Sequence, residues 1–124
     1  LPALLRAYKL QKRAARVNFD WPTVEGALDK LKEEIEELEV EISSTNKSKN
    51  REAVIEEIAD VIFSAANVAR KMDIDPEAAL RKGNKKFEKR FQYVEEMLFS
   101  DGKKPKDATL EEMETYWQES KKLT

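Results

Sequence analysis

The 124-residue chain contains no cysteine and no histidine. A zinc site, a Glu-x-x-His di-iron site, a Cys or His nucleophile and a disulfide framework are therefore excluded by composition. Glycine (3) and proline (4) are scarce. Neither a Gly-x-x-x-x-Gly-Lys phosphate loop nor a Gly-x-Gly-x-x-Gly turn is present, and the calcium loop of EF-hands is missing too. No apolar run approaches the roughly 20 residues of a membrane span, and no signal-peptide core is found. With 23 basic and 25 acidic residues, the net charge of −2 carries no basic footprint. Neither a nucleic-acid nor a membrane partner is expected, and a cytoplasmic protein is the default.

What is present is a chain that is 39% charged and 40% hydrophobic, with the apolar residues recurring at helical spacing. Disorder is not expected over most of its length. The spacing predicts a first helix over residues 3–17, with Leu4, Leu5, Tyr8, Leu10, Ala14 and Ala15 on its apolar side. Asn18 to Pro22 breaks it. A second helix begins after Thr23 as N-cap and carries Val24, Ala27, Leu28, Leu31, Ile35, Leu38 and Ile42 as its core stripe. The polar run over residues 43–50 reads as a loop, and a third helix covers residues 51–72. Asp75-Pro76 is a helix start. The fourth helix runs to about Phe99, with Ala79, Leu80, Phe87, Phe91, Val94 and Leu98 inward. After a surface loop over residues 100–108, Thr109 and Glu112 form a capping box that opens a short last helix through Trp117. The expected class is all-α, a four-helix bundle with an additional short C-terminal helix, in one domain over residues 1–124. The chain opens on Leu1 rather than Met, so a segment of a longer protein is expected.

Two acidic pairs stand out. Glu34 and Glu37 lie in KEEIEEL, and Glu57 and Asp60 lie in EEIADVIF. Residues three apart share a helix face, so two such helices side by side bring four carboxylates around one cavity. Buried carboxylates without a partner neutralise or recruit a cation, and an all-oxygen set suits a hard metal such as Mg2+ or Mn2+. The acidic run of the second helix is compatible with plain solvated surface. Asp60 is the stronger signal, because it sits with Glu57, Ser64 and Asn67 in a narrow polar stripe on an otherwise apolar helix. The competing reading is a buried acid paired with Lys or Arg.

Other residues suggest what a metal would hold. Lys82, Lys86 and Lys89 or Arg90 line one side of the fourth helix, as a phosphate-bearing ligand requires, although solvated lysines satisfy the same pattern. Asn84 is a further polar group there. Trp117 and Lys121, four residues apart, place an aromatic surface beside a cation, or simply pin the last helix. Phe19 and Trp21 flank Asp20 in a turn that either walls a base pocket or anchors the first connection. Lys9, Lys12 and Arg16 give the first helix a basic side.

Glu33-Glu34-x-x-Glu37 followed by Glu57-x-x-Asp60 resembles the EExxE…ExxD signature of MazG-type nucleoside triphosphate pyrophosphohydrolases. ALLRAYKLQKRAARVNFDW, EEIADVIFSAANVAR, NKKFEKRF and METYWQESK are similar, in that order, to the C-terminal half of a tandem MazG protein. The resemblance implies an all-α, dimeric enzyme that uses Mg2+ to cut nucleoside triphosphates between the α and β phosphates. Carried over by position, it implies Glu34, Glu37, Glu57 and Asp60 as metal ligands, with Glu33 as a ligand or supporting alternative. It also implies Lys86, Arg90, Trp117 and Lys121 as nucleotide contacts, with Asn84 a further candidate. Asn18 departs from the Gly that often precedes Phe-Asp-Trp, and Ala53 stands where some relatives carry Lys.

The expected reaction is attack of a metal-activated water on the α-phosphorus, with Glu33 or Glu37 accepting the proton. Lys86 and Arg90 then stabilise the departing pyrophosphate. The alternatives are an all-α dUTPase-like or phosphoribosyl-ATP pyrophosphohydrolase-like activity and, from another class, a non-catalytic module that binds nucleotide or mediates dimerisation.

Overall fold

The computed structural model describes residues 1–44 and 51–124; the loop expected over residues 43–50 lies outside them from Thr45 onward. The described residues form α1 (Ala3–Ala15), α2 (Val24–Ile42), α3 (Arg51–Lys71), α4 (Pro76–Ser100), a 3-10 turn (Pro105–Asp107) and α5 (Leu110–Lys121). The all-α class holds. None of these helices is long and apolar enough to cross a membrane. The chain divides into two compact units, Leu1–Ala79 and Leu80–Thr124, with α4 passing from one into the other.

Helix boundaries follow local chemistry. Asn18 has φ 68°, and its N–H donates to the Ala15 carbonyl while the Phe19 N–H reaches Ala14, which closes the end of α1. This is the left-handed cap that usually calls for Gly, and Asn is one of the few side chains that tolerate it. Asp73 (φ 59°) and Gly102 (φ 73°) end α3 and α4 with the same hydrogen-bond pattern. At the other ends, Asp75 Oδ1 accepts from the N–H of Glu77 at 2.9 Å, and the Thr109/Glu112 capping box opens α5. Thr23 occupies the N-cap of α2 as expected but accepts no side-chain bond. α5 runs past Trp117 to Lys121.

In the first unit α2 packs along α3, and α1 packs on α3. Ala27 of α2, Ser64 and Ala66 of α3 and Gln11 of α1 are buried in this unit. Gly26 serves the same close packing, because a Cβ there would lie 3.2 Å from the Trp21 ring. In the second unit Val94, Leu98 and Ser120 are fully buried. Tyr93 donates to Glu119, Lys103 pairs with Glu112, and Tyr116 donates to Asp101. That last bond pushes the Tyr116 phenol up to about 12.

Several residues expected in the core are outside it. Leu10, Leu28, Ile35, Ile42, Leu80 and Phe87 are all 40% or more accessible. On α3 the polar stripe turns inward at Ser64 and Asn67 as expected, whereas Asp60 is exposed, and so are Ile58 and Ile62 of the apolar remainder. Small side chains permit close helix approach, so they take the interior and the bulky stripe is left outside.

Asp75→Ala is expected to cost about 1 kcal/mol of unfolding free energy through the lost cap. Asn18→Val is expected to cost a similar ~1–2 kcal/mol through left-handed strain. Urea denaturation measures both; a midpoint unchanged from wild type would show that the cap in question contributes nothing.

Candidate metal and nucleotide site

The α2–α3 packing converts two sequence pairs into one cluster. One carboxylate oxygen from each of Glu34, Glu37 and Glu57 lies within 4.8 Å of the others. Glu34 is only 5% accessible, and its Oε1 accepts from Lys30 Nζ at 2.9 Å. Its other oxygen, Oε2, is buried without a hydrogen-bond partner, as is Oε2 of half-buried Glu57. Glu37 stands at the exposed edge.

Crowding of like charge shows in the acidities. The Glu34 carboxylate beside it is the main reason that Glu37 titrates above the ordinary glutamate range. Desolvation is the main reason for Glu57, with the charges of Asp60 and Glu34 adding to it. Both effects disfavour the ionised form, and a cation at the cluster would relieve both.

Asp60 is exposed, and its carboxylate is not among the three that converge; it acts on Glu57 through its charge. Glu33 is 58% accessible and lies 3.6 Å from Lys30. The competing reading for Asp60, a buried acid paired with Lys or Arg, does not describe it, since Asp60 is exposed; the buried acid here is Glu34, with Lys30 on one of its two oxygens.

Beside the carboxylates, a cavity of about 460 Å3 opens among α1, α2, α3 and the turn after α1. Phe19, Trp21 and Phe63 supply apolar wall, and Gln11, Lys30, Asn67 and Arg70 supply polar groups. Lys30 belongs to both places, since it lines the cavity and pairs with Glu34. The turn is pinned from below: Arg70 Nη2 donates to Asp20 at 2.5 Å, and Lys71 Nζ donates to Asp20 at 3.3 Å and to the Trp21 carbonyl at 2.7 Å. Arg70 foremost holds the Asp20 carboxyl below the usual aspartate range.

Gln11, Lys30 and Arg70 escaped the sequence reading. Lys30 was visible as the residue four before Glu34, and Arg70 as the next step of the stripe through Ser64 and Asn67. Nothing local distinguishes Gln11, because its burial depends on α3.

In the second unit, Arg90 lies over Trp117 with its guanidinium carbon 5.9 Å from the ring centroid, and its Nε donates to Thr124 Oγ1 at 3.0 Å. Trp117 also packs on Phe87, centroids 5.3 Å apart, so it joins α5 to α4. Asn84, Lys86 and Lys121 are exposed.

The profile of the MazG nucleotide pyrophosphohydrolase domain matches residues 23–95, from the start of α2 into α4. The chain is 36% identical over 121 residues to the nucleoside triphosphate pyrophosphohydrolase/pyrophosphatase MazG of Thermotoga maritima, a match covering 98% of this chain and 45% of that protein. It is 41% identical over 128 residues to the nucleoside triphosphate pyrophosphohydrolase of Escherichia coli K12, covering 98% and 46%. A 65-residue match, 43% identical, links it to the uncharacterized protein YabN of Bacillus subtilis, covering 52% of this chain and 13% of that protein. The chain thus spans just under half the length of the first two relatives.

The Asp20 clamp has a pH signature. A carboxyl that titrates in the folded chain below its unfolded value of 3.8 adds stability above that value and loses it as pH falls through the lower folded one. Asp20→Asn is therefore expected to lower the melting temperature at neutral pH, with the gap to wild type closing as the pH drops below 3.8. Thermal melts across pH check this; a gap independent of pH would remove the carboxylate from the account.

Proposed function

The chain belongs to the MazG nucleotide pyrophosphohydrolase domain family, and on that premise we propose that it hydrolyses nucleoside triphosphates to monophosphate and pyrophosphate with a divalent metal, Mg2+ or Mn2+. The observation that carries the reading is the convergence of Glu34, Glu37 and Glu57, with one buried oxygen of Glu34 and one of Glu57 lacking any hydrogen-bond partner. Unpaired buried oxygens on acidic side chains are costly in water-soluble folds, and an all-oxygen set fits a hard cation.

In this proposal Glu34, Glu37 and Glu57 hold the metal, and Asp60, on the same helix as Glu57, completes the set. The metal supplies charge neutralisation at the phosphates and a water acidic enough to attack at neutral pH. The oxygen–phosphorus bond forms at the α-phosphorus, the bond to the bridging β oxygen breaks, and pyrophosphate leaves. Glu37 is the better placed of the two candidate bases. It stands at the accessible edge of the converging carboxylates and would take the proton on an oxygen that does not bind the metal. Glu33, more exposed and 3.6 Å from the Lys30 cation, supports from outside. On grounds of charge, Lys86, Arg90 and Lys121 are proposed to meet phosphates. Trp117 and Asn84 enter as nucleotide contacts through the resemblance alone. A cytoplasmic site of action is part of the same proposal.

We propose also that the active form is a homodimer, supported by the exposed apolar side chains Leu28, Ile35, Ile58 and Ile62 on α2 and α3. Sedimentation at twice the 14.4 kDa chain mass is the expected result, and a monomer at assay concentration would oppose it.

Glu57→Gln is expected to abolish Mn2+ binding in calorimetric titration and pyrophosphate release together, with helix content unchanged. Glu37→Gln is expected to reduce kcat by roughly 10²–10⁴ through loss of the base. Retained turnover in Glu57→Gln would overturn the assignment; Mn2+ and nucleotide binding without any turnover in wild type would leave a binding module instead.

A further inference from the structure

Glu34 is the most buried of the three converging carboxylates, and its two oxygens have different fates. Oε1 accepts from Lys30 Nζ at 2.9 Å, while Oε2 is buried with no hydrogen-bond partner. Lys30 stands one helical turn before Glu34, so its arm reaches the carboxylate along α2 without crossing from α3. Its side chain is 37% accessible against 7% for that of Glu34, so a partly hydrated cation holds a buried acid. Glu33 lies 3.6 Å from the same ammonium, beyond hydrogen-bond length, which leaves the bond to Glu34 as the directed one.

A cation in this place can do one of two things. It can fill the site and be displaced when a metal enters, or it can hold one ligand in position for the metal. A place-filler would sit among the converging carboxylates. Lys30 instead forms no ion pair with Glu37 or Glu57 among the described residues; it touches only Glu33 and Glu34 of its own helix. The ammonium is also a compact charge that takes a single oxygen, where the fork of an arginine would take both. The oxygen it leaves free is the one without a protein partner.

We propose that Lys30 is the positioning residue of the metal site: it fixes the Glu34 carboxylate by Oε1, so that the free oxygen meets the cation together with Glu37 and Glu57. Lys30 stays on Oε1 when the metal is bound. The proposal rests on the metal reading above. Hydrogen bonds of this kind to a ligating carboxylate set its orientation, and losing one typically weakens metal binding by about 10–100-fold.

The chain has no cysteine, so Lys30→Cys introduces a unique thiol. Alkylation with 2-bromoethylamine rebuilds an ammonium on an arm of lysine length, with sulfur in place of one methylene, whereas iodoethane adds an arm without the ammonium. Mn2+ binding is followed through the electron paramagnetic resonance of the free ion. Lys30→Cys and its ethyl form are expected to bind Mn2+ about 10–100-fold more weakly than wild type, and the aminoethyl form to recover most of the loss. Affinity in Lys30→Cys equal to wild type would overturn the proposal. Tighter binding would overturn it too, by making Lys30 a competitor of the metal, and so would equal recovery by the ethyl arm, which reduces the effect to packing. Wild type supplies a check that needs no variant. The 15N signal of the Lys30 ammonium, slowed in hydrogen exchange by the bond to Glu34, should persist as Mg2+ is added, and its loss on Mg2+ addition would sink the idea. Wild type that takes no Mn2+ defeats the metal reading and this proposal with it; wild type that binds Mn2+ beside an indifferent Lys30→Cys defeats this proposal alone.

Discussion

The rest of the first unit depends on one unfavourable contact: carboxylates of α2 and α3 held close together by the packing of the two helices. α2 packs along α3, and that packing sets Glu34 and Glu37 against Glu57. Lys30 offsets part of the repulsion through one oxygen of Glu34. The remainder appears as weakened acidity at Glu37 and Glu57, which titrate above the ordinary glutamate range, and as two buried oxygens with no partner. A cation entering such a cluster would relieve the repulsion.

A second constraint shapes the neighbouring cavity. α1 must stop abruptly for Phe19, Asp20 and Trp21 to turn back over α2 and α3, and the left-handed Asn18 makes that stop. Arg70 and Lys71 at the end of α3 then pin the turn through Asp20 and the Trp21 carbonyl. Gly26 leaves room for the Trp21 side chain beside α2. The same Arg70 orients Asn67, so the residue that secures the wall also sets which hydrogen bonds the wall presents.

Local signals were legible where the physics is local. Asp75 before Pro76 and the Thr109/Glu112 pair marked helix starts that the structure reproduces, because a cap involves only residues within one turn. The spacing within each acidic pair, Glu34 with Glu37 and Glu57 with Asp60, was legible for the same reason. Burial was read less well. Leu28, Ile35 and Ile62 have the period of a core stripe but remain exposed, while Gln11 and Ser64 do not look like core residues and are buried. Periodicity reports that a helix has two faces; which face meets which neighbour depends on how closely the helices approach.

The sequence by itself determined the class of the fold, the helix ends and the chemistry of the donor set, since no His or Cys exists to offer anything but oxygen, amide and cation. It also carried the family resemblance, through motifs whose order is independent of three dimensions. Only the tertiary structure decided that Glu57 joins Glu34 and Glu37 while the Asp60 carboxylate stays outside the trio, and that Lys30 is the cation already in place. It alone brought Gln11 of α1 to Asn67 of α3 around one cavity. The reason is physical: spacing along a helix specifies an angle about one axis, whereas a site needs distances between axes, and those are set by side-chain volumes at the packing interface.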